Sequence, residues 1–166
     1  MTLQQVLFLI FGAITIVAAL MVVTKRNVFH AALFMVLSFF GVAGLYVLLE
    51  APFLAAVQLF IYVGGISVLI VFAIMLTRDL ANPNVSAANS QWAAALVVAV
   101  GLAVVLIVTA QGYDWVSSPP GAVPPHTITI LGATLVDPLG LMLPFEVASV
   151  LLLVALIGAV TLAREK

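Results

Sequence analysis

The stretch from Pro52 to Leu76, PFLAAVQLFIYVGGISVLIVFAIML, decides the fold, because it holds no Asp, Glu, Lys, Arg or His. A helix rising about 1.5 Å per residue needs roughly 20 apolar residues to cross ~30 Å of hydrocarbon. Phe53–Leu76 meets that length, and so do Leu3–Thr24, Val28–Leu49, Gln91–Ala110 and Met142–Ala163. The chain therefore reads as an all-α integral membrane protein of five transmembrane helices, numbered one to five in order, forming a single membrane domain over residues 1–166.

Composition agrees. Apolar residues make up 66% of the chain and charged residues 7%, with a mean hydropathy of +1.38. A soluble domain carries about 25% charged residues. So few charges cannot cover a water-facing surface, and lipid is the solvent. The absence of cysteine excludes disulfides, thiolate-held iron–sulfur clusters and thiol nucleophiles from this chain. A net charge of −1 gives no electrostatic footprint for nucleic acid. Met1 to Gln5 lacks Lys and Arg, whereas Lys25 and Arg26 follow the first apolar run. That order belongs to a retained helix, not to a cleaved signal peptide.

Helices one and two are separated only by Lys25-Arg26-Asn27, and helices two and three only by Glu50-Ala51-Pro52. Such short turns make the first three helices antiparallel neighbours. Arg-Asp and Asn-Pro-Asn mark a turn within Thr77–Ser90. Lys25, Arg26, Arg78, Arg164 and Lys166 then all fall on one side, which the positive-inside rule makes cytoplasmic. The amino terminus is expected outside and the carboxyl terminus inside. Residues 111–141 form an outer loop rich in proline (Pro119, Pro120, Pro124, Pro125, Pro138) and glycine, a composition that favours extended conformations. Within it, Thr127-Ile128-Thr129-Ile130 alternates as a short strand or hairpin would.

Chemistry concentrates in helix three. Gly64 and Gly65 stand at its midpoint, where each costs about 1 kcal/mol relative to alanine in an exposed soluble helix. Two readings are open: a place where the hydrogen-bond ladder rearranges into a π-bulge, or a notch for a closely packed neighbour. Gln58, Tyr62 and Gly65, at i, i+4 and i+7, share one face of a regular helix. Glu146, two residues after Pro144, is either a buried functional carboxylate or an acid in the first turn of helix five. Glu50 belongs to the outer turn. His30 fits a hydrogen-bonded helix residue better than a proton relay, and His126 has no second ligand near it, so no metal site is expected.

Three runs carry a family resemblance: LLEAPFLAAVQLFIYVGGISVLIVFAIML from Leu48, LPFEVASVLLLVALIGAVTLARE from Leu143 and, more weakly, NVFHAALFMVLSFFGVAGLYVLL from Asn27. Together they resemble subunit J of proton-pumping NADH:quinone oxidoreductase (respiratory complex I), whose mitochondrial counterpart is NADH dehydrogenase subunit six. The resemblance implies a non-redox subunit of the membrane arm with no catalytic residue or cofactor of its own. FMN, iron–sulfur clusters and quinone are then expected in other subunits. It also implies a π-bulge at Tyr62, Gly64 and Gly65, whose conversion to regular helix opens or closes a hydrated proton path. Gln58 and Ser67, on either side of that segment, are expected to join it as proton-path and hinge residues. Subunit K is the implied neighbour on the path, with A and H beside it, in the inner (plasma) membrane of a bacterium. Pro52 stands where many relatives carry an acid, and Leu141 where they often carry an aromatic residue. A related ferredoxin-linked or hydrogenase complex, or a purely structural membrane scaffold, are the alternative readings.

Overall fold

The starts of the first two helices are written into the sequence as caps. The computed structural model describes residues 2–77, 91–113 and 126–164. In α1 (Leu3–Thr24) the Thr2 hydroxyl accepts the Gln5 N–H while the Gln5 side chain accepts the Thr2 N–H at 3.0 Å. This reciprocal capping box satisfies two donors that the first turn leaves free. In α2 (Val28–Leu48) the Asn27 side chain does the same for Phe29 and His30, at 3.0 and 3.2 Å. Pro52 opens the third span, where its missing N–H costs nothing.

That third span is continuous from Pro52 to Leu76 but has three parts. They are α3 (Pro52–Val57), a π segment (Gln58–Ile66) and α4 (Ser67–Leu76). The remaining helices are α5 (Trp92–Gly112), α6 (Thr127–Val136) and α7 (Met142–Ala163). Among the described residues, five spans are long and apolar enough to cross a membrane, as the hydropathy required. The Arg78-Asp79 and Asn82-Pro83-Asn84 turn lies outside the described residues, as do Pro119, Pro120, Pro124, Pro125 and Lys166.

Helix α2 stops one residue short of the expected Leu49, because Glu50 enters the left-handed region at φ 55°. The Glu50 N–H donates to the Val47 carbonyl at 3.1 Å and the Ala51 N–H to the Tyr46 carbonyl at 3.0 Å. These paired bonds form a Schellman close, a position usually held by glycine. A side chain there costs about 1–2 kcal/mol. Glu50→Gly is therefore expected to stabilise the turn by about 1 kcal/mol, read as a raised thermal midpoint in detergent. A lowered midpoint would show that the carboxylate is itself held by a partner.

Contacts divide the chain into two compact units, Met1–Pro119 and Pro120–Lys166. In the first, α1 packs along α2, and α2 also packs on all three parts of the third span. Among the described residues the buried apolar ones are small: Ala18, Ala32, Ala43 and Ala55. Small residues let helix backbones approach closely where lipid supplies no hydrophobic drive between helices. Gly41 is one such point, since a β-carbon there would sit 3.2 Å from the Thr15 amide nitrogen and 3.3 Å from the Phe11 carbonyl oxygen. Ser38 adds a polar tie, its hydroxyl donating to the Thr15 carbonyl at 3.3 Å.

The second unit corrects one expectation. Thr127–Val136 is a helix, not a strand or hairpin. Alternating β-branched residues favour a strand only when another strand pairs with it. A helix satisfies the same backbone groups within the segment, and the Thr134 hydroxyl bonds back to the Ile130 carbonyl at 3.0 Å. The turn into α7 is closed by the Leu141 N–H on the Thr134 carbonyl at 2.8 Å.

Candidate functional site

The regular ladder is interrupted where two glycines follow a tyrosine. Over Gln58–Ile66 the backbone adopts i→i+5 bonding, and the segment ends with the Ser67 N–H donating to the Tyr62 carbonyl. The Ser67 hydroxyl donates to the same carbonyl oxygen at 2.6 Å. Tyr62 thus receives both donors of Ser67. Wider π turns leave the ladder less well packed around its axis, and glycines lower the steric cost of forming them.

At the other end, the Gln58 amide reaches helix α2 and donates to the Phe39 carbonyl at 3.4 Å. The Phe39 ring meets the Tyr62 ring edge-on, with centroids 5.5 Å apart and planes at 69°, a favourable aromatic geometry. Phe39 therefore touches the π segment twice, through its backbone and through its ring. Of the residues singled out in helix three, the structure joins Gln58, Tyr62 and Ser67 into one connected set. Gly64 and Gly65 lie inside the π turns themselves.

Two sequence expectations change here. Gln58, Tyr62 and Gly65 do not all share a face: Gln58 and Tyr62 both reach Phe39 on α2, whereas Gly65 is exposed and no atom of another helix lies within 4 Å of an added β-carbon there. The i, i+4, i+7 rule assumes turns of 3.6 residues, and a π segment does not have them. Nor does another helix of the described chain fill the Gly64–Gly65 notch. The nearest atoms to added β-carbons are the segment's own Leu59 and Phe60 carbonyl oxygens, at 3.4 and 3.8 Å. Close packing falls instead to Gly41 and Gly44 on α2, where a β-carbon would strike Thr15 and the Phe11 ring. Their spacing beside Ala43 was the signal in the sequence. Nothing in the sequence pointed to Phe39.

Outside this set, Glu146 is exposed within its own unit, on a helix that carries no buried residue of its own. It borders an apolar groove with Leu143, Val147 and Val150. His30 presents its ring edge-on to Phe29 at 6.2 Å, and the Lys25 ammonium lies 5.8 Å from the centre of the Phe34 ring.

A π segment at Tyr62-Val63-Gly64-Gly65, set in the third of five membrane-length spans, is the arrangement that the resemblance implied. Residues 18–162 match the family described as NADH-ubiquinone/plastoquinone oxidoreductase chain 6. The chain belongs to that family. Among its relatives is the NAD(P)H-quinone oxidoreductase chain 6 of Leptolyngbya boryana, 41% identical over 98% of this chain and 81% of the relative. The chloroplastic subunit 6 of Nephroselmis olivacea is 39% identical over 87% and 83%. The F(420)H(2) dehydrogenase subunit J of Methanosarcina mazei is 35% identical over 98% and 92%. A chain 6 is one subunit of an oxidoreductase complex, and its partners are other subunits of that complex. The matched region contains α2 and the π segment of this chain.

Proposed function

We propose that this chain is a non-redox membrane-arm subunit that helps couple quinone reduction to proton translocation, through a third helix that switches between π and α register. The π ladder over Gln58–Ile66, with Gly64 and Gly65 open on its surface, is the observation that carries this reading. In the π register the Tyr62 side chain is partly exposed beside those glycines and can hold water at that point. Returning the segment to α bonding would rotate Tyr62 relative to Phe39 and reshape the path. The glycines lower the barrier to that exchange, since neither has a β-carbon that must pass its own carbonyls.

The neighbour on this path is subunit K, with A and H adjoining, and FMN, iron–sulfur clusters and quinone reside in other subunits. The distribution of Lys and Arg supports an amino terminus outside and a carboxyl terminus in the cytoplasm. The setting is a bacterial inner (plasma) membrane, and the cyanobacterial relatives are consistent with it. A second reading concerns the electron donor alone. The Methanosarcina mazei relative is named for F(420)H(2), so the same membrane subunit can serve a complex with another donor.

The test is a cryo-EM map of the purified complex, resting and turning over, read at Gln58–Leu69. Two registers, with ordered water changing beside Tyr62, are expected. A single register in every class, with a neighbouring subunit's backbone seated on Gly64 and Gly65, would make the chain a scaffold for pumping done elsewhere.

A further inference from the structure

We infer that Gln58 and Ser67 act as a pair that selects the register of the helix between them. Among the described residues these are the two buried polar side chains, 7% and 1% exposed. The Gln58 amide is held on the Phe39 carbonyl of α2, and α4, which Ser67 opens, packs on α2 as well. Nine residues separate the start of the π segment from Ser67. In a regular helix nine residues make about two and a half turns, which puts the two side chains on opposite faces. Wider π turns bring them back toward the same face. Burial of both polar groups against one helix therefore requires the π register.

The alternative register has a definite composition. Counting regular turns from Gln58, the residues facing α2 would be Gly65 and Leu69. Leu69 is 70% exposed now. Conversion to α bonding would thus bring Leu69 inward, turn Ser67 out and release its hydroxyl from the Tyr62 carbonyl. Position 67 accepts only a small side chain in the π register and any apolar one in the α register. Ser67 is a positioning residue, acting through Tyr62. The exchange between registers and its consequence for coupling both rest on the proposed function above, whereas the need for a small side chain at 67 in the π register rests on its burial alone.

The experiment uses the whole complex carrying Ser67→Leu or Ser67→Val, with particles sorted by the register of residues 58–66. Overfilling a closed site shifts an equilibrium by roughly tenfold, so the leucine variant should lower the π:α ratio by about that factor or more. Valine adds a single heavy atom and should shift the ratio the same way by a smaller factor, so it decides the matter if the leucine variant does not assemble. A wild-type ratio in the valine variant, and in the leucine variant where it assembles, would overturn the assignment whatever happens to proton pumping. A shifted ratio with unchanged proton uptake per quinone reduced would leave the pair standing and remove the coupling role.

Discussion

Gly41→Leu lowers the yield of assembled complex to about a tenth of wild type or less, since overpacking of a tight contact costs about 1–3 kcal/mol or more. The helix pair α1–α2 is the main internal contact of its unit, and it closes on small residues. A β-carbon at position 41 would meet backbone atoms of Phe11 and Thr15 at 3.2–3.3 Å. Backbone cannot step aside without moving the whole helix. Gly44 offers a contrast inside the same interface, because there the obstructing atoms belong to the Phe11 ring, which can change rotamer. Gly44→Ala should therefore be clearly milder. Yield of purified complex, compared by native gel, checks both, and equal yields for Gly41→Leu and wild type would show that α1 and α2 do not meet as described.

Gly65→Leu leaves assembly intact and slows proton-coupled quinone reduction by roughly tenfold, the factor that ~1.4 kcal/mol supplies. In the π register a β-carbon at 65 meets nothing nearer than the Phe60 carbonyl at 3.8 Å, so the chain itself tolerates it. In the α register the same position turns toward α2, so a leucine there adds bulk to the helix contact and disfavours that register. The substitution traps the state opposite to the one that Ser67→Leu favours. Turnover in proteoliposomes, with yield as the control, reads the effect. Normal turnover with normal yield would mean that residue 65 never enters the α2 contact.

The spans were legible because lipid imposes one rule on length and polarity at once, and hydropathy reports both. Helix starts were legible where a cap sits beside an apolar run, as at Asn27. Endings were less so: a carboxylate at φ 55° is not the residue that marks a helix stop, and only the backbone bonds of Glu50 and Ala51 reveal it. Thr127–Ile130 misled because its alternation says nothing about whether a pairing strand exists. At the site, Gly64-Gly65 announced a break in the ladder, but not which side chains hold it open. Phe39 contributes through a carbonyl and a ring edge placed by tertiary packing, which have no local pattern, whereas Ser67, expected beside the glycines, ties back to the Tyr62 carbonyl within its own span.

Among the described residues, an interior made of alanine, glycine, one serine and one glutamine reverses the usual tolerance of a protein core. In a water-soluble domain the damaging change is truncation, which leaves a void under a large side chain. Here the inward positions have almost nothing to lose, and the bulky residues such as Phe60 and Leu162 point outward. Harm comes from enlargement inside and from lost fit outside, where shape is shared with other chains. Variation on that outer surface is then answerable to neighbours rather than to this chain's own stability.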